Sequence, residues 1–288
     1  MNIAIIPVPY SLDEPDVGMG RAPEALLEAG LAGRLEAVGC TVEVCDPVRV
    51  PASDDGREAR LGRLLGLLSS TVARVRLRGA FPLVLGGDCM TALGTLGGLL
   101  DPSDTGVVWL DAHGDFNTPE TTISGYLGGM CLACAAGRGL EELRAAAGLA
   151  EPVPEGNIVL VGARDLDPQE AEALAGSGVA LVRGEELGAG AKALGPALDT
   201  LGGLSQVYLH LDIDVLDPAG APGVDYPAAG GLSQETLHAV VRQIAGVGNL
   251  AALALTAVNP ERDPDGRTVQ AAIAAAEVTL AEAVSVQL

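Results

Sequence analysis

Aromatic side chains are scarce in this chain, since only 2% of its 288 residues are Phe, Trp or Tyr while 48% are hydrophobic. A core must therefore be packed with Ala, Leu and Val, and the length is sufficient for one large α/β domain or two small ones. Positive charge is also scarce: the chain has 17 Lys and Arg residues and 38 Asp and Glu residues, which gives a formal net charge of −21. Nucleic acids and anionic membranes bind basic surfaces, so we expect neither as a partner. The acidic balance suits divalent cations and cationic substrates, although solubility alone explains it equally well.

Signals for export or membrane insertion are missing from the sequence. Residues 1–7 have no basic stretch and no small-residue cleavage site, and they predict a first strand. No apolar run approaches the roughly 20 residues that a membrane helix needs. Five cysteines are an odd number, so we expect free thiols, a reducing compartment and a cytoplasmic location. Cys131 and Cys134 form a C-x-x-C in a predicted helix with no second pair, and we interpret them as small core residues.

Short apolar runs alternate with helix-like segments along the whole length. This alternation predicts a parallel sheet covered by helices on both faces. We find no linker and expect one catalytic domain over residues 1–288. The predicted strands are 3–8, 42–45, 82–85, 107–110, 158–161, 179–182, 207–211 and 250–255. The predicted helices are 23–38, 57–78, 169–175, 234–245 and 269–283, and the Gly- and Ala-rich stretch 188–203 predicts a helix with its loops.

Polar residues follow four of these strands, where ligands bind in such sheets. They are Cys89 after one strand, Asp111, His113 and Asp115 after another, Asp212 and Asp214 after a third and Asn259 after a fourth. Crowded carboxylates repel one another unless cations neutralise them, and oxygen ligands with an imidazole suit Mn²⁺. Two such ions about 3.5–4 Å apart share a water and lower its pKa enough to make a nucleophile. The pattern predicts a two-metal hydrolase, although an Asp-x-Asp alone is typical of a solvated loop, and His113 alone of a hydrogen-bonded core histidine.

Five motifs, in order across nearly the whole chain, resemble those of the arginase–agmatinase (ureohydrolase) family. They are Gly86-Gly-Asp-Cys89, Asp111-Ala-His-Gly-Asp-Phe-Asn117, Ser124-Gly-Tyr-Leu-Gly-Gly-Met130, Leu211-Asp-Ile-Asp-Val-Leu-Asp-Pro218 and Ala257-Val-Asn-Pro260. The resemblance implies a three-layer α/β/α sandwich with an eight-stranded, mostly parallel sheet. It also implies two Mn²⁺ ions per chain and a hydroxide between them that attacks the guanidino carbon of a small-molecule substrate.

The resemblance also implies, position by position, which residues bind metal. One ion would be bound by Cys89, Asp111, Asp115 and Asp212, and the other by Asp111, His113, Asp212 and Asp214. Asp115 would in addition orient the bridging hydroxide. Asn117, Thr122 and Ser124 would receive the α-carboxylate of an L-amino acid and Asp167 its α-ammonium. An ordinary polar loop and an Asp-Pro turn remain the alternative for these four residues.

Three positions depart from the arginase pattern. Cys89 replaces a histidine ligand, Gly128 replaces the histidine that shuttles protons in arginase, and Ala257 replaces the glutamate that faces the guanidinium. A thiolate still binds metals, whereas a small buried Cys at an inactive site is the alternative. No other histidine is well placed to replace the shuttle, because His210 lies two residues back into the sheet and His238 in a predicted helix.

These departures are similar to those of the Nω-hydroxy-L-arginine amidinohydrolases of D-cycloserine biosynthesis, an antibiotic pathway. Their N-hydroxyguanidine substrate is much less basic than arginine, so it needs no carboxylate opposite it. We hypothesise release of hydroxyurea and L-ornithine. The alternatives are an arginase or ureohydrolase for another guanidino or amidino compound, a metal-binding pseudoenzyme, and a deacetylase-like hydrolase with one metal on Asp111, His113 and Asp212. We expect a monomer, because the long tail that helps arginases to trimerise is missing after the last predicted helix.

Overall fold

The computed structural model describes residues 1–99, 101–188 and 191–287, and an eight-stranded sheet organises them. Its strands are β1 (Asn2–Val8), β4 (Thr41–Val44), β5 (Phe81–Gly86), β6 (Thr105–Leu110), β7 (Ile158–Val161), β8 (Ala180–Val182), β9 (Gln206–Asp212) and β10 (Leu250–Thr256), while β2 (Tyr10–Ser11) and β3 (Glu14–Pro15) form a small antiparallel pair. The order across the sheet is β4-β1-β5-β10-β9-β6-β7-β8, and its described pairings are parallel. All eight predicted strands are confirmed, and the β2–β3 pair was not predicted.

Helices cover both faces of the sheet, which confirms the predicted three-layer α/β/α sandwich. They are α1 (Ala22–Glu28), α2 (Leu31–Ala37), α3 (Arg57–Leu77), α4 (Thr91–Gly97), α5 (Cys131–Ala135), α6 (Glu141–Ala146), α7 (Pro168–Ala175), α8 (Gly184–Leu187), α9 (Gly195–Asp199), α10 (Gln234–Ala245) and α11 (Arg267–Gln287). Successive strand residues point to opposite faces. Ile3 and Ile5 therefore pack in the core layer with α10 and α11, whereas Ala4 and Ile6 pack in the layer with α3 and α4.

One helix prediction needs correction. The predicted helix 23–38 is two helices, because Gly30 adopts φ +92°, a left-handed conformation that ends α1 and that glycine tolerates at little cost. The stretch 188–203, predicted as a helix with its loops, contains the five-residue helix α9, and residues 189 and 190 lie outside the described part of the chain.

Helix α11 also corrects the expectation that no segment could span a membrane. Residues Arg267–Val286 are long and apolar enough by length and composition, with a mean hydropathy of 1.4. Half of this segment is buried inside the protein, and Ile273 and Leu280 belong to its core. Its apolar character is therefore explained by packing against the sheet layer.

The strand order determines where the predicted site residues meet. Strands β5, β10, β9 and β6 are neighbours at the centre of the sheet, although they are far apart in sequence. Because parallel strands end at the same edge, Cys89, Ala257, Asp212 and Asp111 lie side by side there.

Candidate metal centre

A first group of possible metal ligands consists of Asp111, His113 and Asp214, whose ligand atoms lie within 4.8 Å of one another. His113 Nδ1 is 3.3 Å from Asp111 Oδ1 and 3.1 Å from Asp214 Oδ2. Backbone amides fix both carboxylates, since His113 N donates to Asp111 at 2.7 Å and Ala112 N donates to Asp214 at 3.0 Å. The group is therefore already arranged around a common centre by the loop that follows β6.

A second group surrounds the thiol of Cys89, which donates to Asp212 Oδ2 at 2.9 Å and lies 4.0 Å from Asp111 Oδ2. Cys89 Sγ, an Asp115 oxygen and Cys131 Sγ also lie within 4.8 Å of one another. Asp115 has φ +46°, so a left-handed turn, and not strand alternation, directs its side chain to the site. Strand β6 ends at Leu110, and the D-x-H-x-D motif acts as a loop.

The electrostatics of the two groups call for cations. Asp111, Asp115, Asp212 and Asp214 are at most 5% exposed. Burial, followed by the neighbouring Asp214 and Asp111 carboxylates, raises the pKa of Asp212 well above its usual range. Burial lowers the pKa of His113, but Asp111 and Asp214 outweigh this and raise it to about 12. Buried carboxylates, an imidazole and a thiol match the ligands of divalent transition metals, so these residues fit two metal ions.

A layer of buried side chains supports the ligands from beneath. Trp109 Nε1 donates to Asp111 Oδ2 at 3.0 Å, and its ring stacks on His210 with 3.7 Å between centroids. His210 Nδ1 is 2.8 Å from Tyr208 Oη, and Nε2 is 3.2 Å from Thr256 Oγ1. Burial lowers the pKa of His210 to about 3, so this imidazole is neutral and serves as a support beneath the ligands.

A cavity of about 560 Å³ opens above the ligands and contains three of the four residues predicted to bind the amino-acid end. Asn117 Nδ2 donates to Asp167 Oδ2 at 3.1 Å, and both residues line the cavity. Ser124 lines it too, with its hydroxyl accepting from Tyr126 N at 3.2 Å. Thr122 is not among the described lining residues, because its Oγ1 accepts from Gly125 N inside the loop.

Glu170 connects the segments that carry Asn117 and Asp167. Its carboxylate accepts from Phe116 N at 2.9 Å and from Asp167 N at 3.1 Å, the latter within the capping box of α7. The contact requires Gly114, since a Cβ there would lie 2.6 Å from a Glu170 oxygen. Asn117 and Asp167 are thus kept at fixed positions next to the metal ligands.

Comparison with known proteins agrees with this architecture. A model of the Arginase family matches residues 1–281. The arginase of Bacillus subtilis (strain 168) is 34% identical over 97% of both chains, and human Arginase-1 is 33% identical over 97% of this chain and 92% of its own.

The chain belongs to the arginase family.

Solved structures support this assignment. The crystal structure of arginase from Bacillus cereus has a TM-score of 0.88 with 32% identity, and covers 97% of this chain and 98% of its own. Arginase-family proteins are hydrolases of C–N bonds in amidino and guanidino compounds with a binuclear metal site, so the predicted enzyme class is confirmed.

Gly128 and Ala257, two positions where the sequence departs from the arginase motifs, both line the cavity. A Cβ on Gly128 would lie 2.3 Å from Tyr126 Cε1, so the Tyr126 ring occupies the space of any side chain at position 128. Tyr126 also packs against Tyr226, with ring centroids 5.0 Å apart. Ala257 has φ +64° and is anchored by its amide, which donates to Gly87 O at 2.8 Å.

Arg164 connects the segment that carries Asp167 to the chain that follows β9, which carries Asp214. Its guanidinium donates to five backbone carbonyls, those of Asp214, Val215, Leu216, Ala228 and Ala229, at 2.9–3.2 Å.

Cys131, like Tyr126, is a residue of the site whose role the sequence did not predict. Its burial agrees with the prediction of a core residue, yet its Sγ donates to Asp115 Oδ2 at 3.2 Å. Cys134 is buried as predicted, and its thiol is directed to Leu140 O at 3.6 Å. The C-x-x-C spacing gave no signal, because Cys131 meets Asp115 and Cys89 only through the tertiary fold.

Proposed function

We propose that this enzyme is a binuclear manganese amidinohydrolase that converts Nω-hydroxy-L-arginine and water to hydroxyurea and L-ornithine. A bond forms between the water oxygen and the guanidino carbon, the bond from that carbon to Nδ breaks, and Nδ leaves with a proton as the ornithine amine. The observation that carries the proposal is a cavity that is lined by Asn117, Ser124 and Asp167 and that has Gly128 and Ala257, neither an imidazole nor a carboxylate, at the two positions where the sequence departs from the arginase pattern.

The amino-acid end supplies charge and hydrogen bonds suited to an L-α-amino acid. In our proposal Asp167 receives the α-ammonium and Asn117 and Ser124 receive the α-carboxylate, whereas Thr122, also predicted to bind the carboxylate, acts through the loop. The Asn117–Asp167 hydrogen bond supports this arrangement, because it orients both side chains before a substrate arrives. Thr122 contributes by shaping the loop of Ser124.

The reacting end favours a weakly basic group. A guanidinium is always protonated, and burying it without a carboxylate partner is costly. An N-hydroxyguanidine is nearly neutral, so Ala257 opposite it leaves no charge unpaired.

The proposed ligands are Cys89, Asp111, Asp115 and Asp212 for one ion and Asp111, His113, Asp212 and Asp214 for the other. Two Mn²⁺ ions held by these residues would supply positive charge and would lower the pKa of a bound water. In our proposal Asp115 accepts a hydrogen bond from the attacking water and so orients it. Trp109 orients Asp111 from beneath.

Hydrolysis of L-arginine itself is the second candidate, because the similar proteins from Bacillus and human are named arginases. In either case we propose a single catalytic domain over residues 1–288, a monomer and a cytoplasmic location. A role in antibiotic biosynthesis is proposed only for the activity that releases hydroxyurea.

The test is to measure kcat/KM of the Mn²⁺-loaded enzyme on Nω-hydroxy-L-arginine and on L-arginine, following ornithine together with hydroxyurea or urea. A buried guanidinium without its charged partner loses about 1.5–3 kcal/mol, so we expect at least a tenfold preference for the hydroxylated compound. Equal turnover of both substrates contradicts the proposal and favours an arginase. No turnover of either, with metal bound, favours a pseudoenzyme.

A further inference from the structure

The two groups of ligands differ in chemistry. The group of Asp111, His113 and Asp214 offers oxygen and nitrogen atoms, which suit Mn²⁺. The group around Cys89 includes a second sulfur, that of Cys131, together with Asp115. Thiolates prefer softer ions such as Zn²⁺ over Mn²⁺.

The backbone holds Cys131 at this position. Ala133 N donates to Asp115 O at 3.0 Å, and Asn117 N donates to Gly129 O at 3.1 Å. These bonds tie the loop that carries Asp115 to the start of α5, where Cys131 is the first residue. These main-chain hydrogen bonds place Cys131 Sγ 3.2 Å from Asp115 Oδ2.

The burial of the sulfur also favours metal binding. Cys131 is completely buried, and its polar partners are residues of the metal centre. An ion bound there would deprotonate a coordinating thiol and balance the resulting charge. Cys134, one helical turn later, donates instead to the Leu140 carbonyl and provides a matched control.

We propose that Cys131 is an additional ligand of the metal ion on the Cys89 side, and that its sulfur makes this position selective for a thiophilic divalent ion. The inference rests on the proposed two-metal centre and keeps its ligands, but it changes the ion expected on the Cys89 side from Mn²⁺ to a thiophilic ion such as Zn²⁺. The centre is then chemically asymmetric, with a sulfur-rich position next to one of oxygen and nitrogen ligands.

The test uses the full chain loaded with Co²⁺, whose near-ultraviolet charge-transfer absorption reports the number of bound thiolates. Cys131→Ser should lose about half of the absorbance per bound ion, because one of two sulfur ligands is removed. Cys134→Ser should keep all of it. The affinity ratio of Zn²⁺ to Mn²⁺ should fall at least about tenfold in Cys131→Ser only.

Two outcomes separate this inference from the proposed centre. A wild-type spectrum in Cys131→Ser, with Co²⁺ bound, overturns the role of Cys131 and leaves the centre intact. A wild-type chain that binds no Co²⁺ refutes both. Should Cys131→Ser fail to fold, X-ray absorption of the wild-type chain with one equivalent of Zn²⁺ decides: two sulfur neighbours at about 2.3 Å support the inference, and one overturns it.

Discussion

Restoring a carboxylate at position 257 should convert the substrate preference toward L-arginine. Ala257 lines the cavity, and its left-handed φ of +64° already bears the cost of a Cβ, so Ala257→Glu adds no new backbone strain. A hydrogen bond to a charged group contributes about 1.5–3 kcal/mol net. Each 1.36 kcal/mol is a factor of ten in rate, so kcat/KM for L-arginine should rise roughly 10- to 150-fold.

The matched control is Ala257→Gln, which has the same shape without the charge. The assay is kcat/KM for both substrates at saturating Mn²⁺, with urea and hydroxyurea as the respective products. Turnover of Nω-hydroxy-L-arginine should fall in Ala257→Glu, because the new carboxylate stands unpaired opposite a nearly neutral group. If Ala257→Glu and Ala257→Gln act equally on L-arginine, position 257 does not face the guanidino end, and the reasoning is wrong.

Four further predictions concern packing, recognition, metal binding and pH. Gly128→Ala should lower the free energy of unfolding, measured in urea, by about 1–3 kcal/mol, because the new Cβ would overlap the Tyr126 ring. Adding Tyr126→Ala should recover part of this loss. If the losses of the two single variants simply add in the double variant, the two side chains are not in contact. Asp167→Ala should raise KM about tenfold or more, through loss of the α-ammonium partner, and an unchanged KM removes Asp167 from recognition. Removing metal with a chelator should lower Tm, and Mn²⁺ at 100 times its Kd should raise the free energy of unfolding by about 2.7 kcal/mol. Equal melting curves with and without Mn²⁺ argue against a contribution of the metals to stability. His210 has a folded pKa of about 3 against 6.5 in the unfolded chain, so the unfolded state gains a proton first and stability falls with pH below 6.5. In His210→Gln, the free energy of unfolding should decline less steeply, by up to about 1.4 kcal/mol per pH unit between about pH 6 and 5. If the free energies of unfolding in urea of the two proteins change with pH in parallel, His210 is not buried in its neutral form.

The sequence allowed the ligand edge to be predicted because parallel strands end together. Asp111 follows the apolar strand β6 and Asp212 is the last residue of the apolar strand β9, and that pattern is sufficient to bring their carboxylates to one edge. The adjacency of β5, β10, β9 and β6 depends on crossovers that periodicity does not reveal. The roles of Cys131 and Tyr126 were missed for the same reason. The groups that their side chains contact are distant in sequence or depend on the folded loop, so local sequence patterns do not predict these contacts.

The five carbonyls bound by Arg164 have a consequence for motion in the site. They belong to the loops after β9, including the segment of Asp214, whereas Arg164 itself precedes Asp167 in the loop after β7. Neither loop can shift alone without breaking hydrogen bonds to a charged group, each of about 1.5–3 kcal/mol. Amide hydrogen exchange in the two loops should therefore slow together when an amino acid binds at Asp167. Binding at that end of the cavity would then reduce the motion of the loop that carries Asp214.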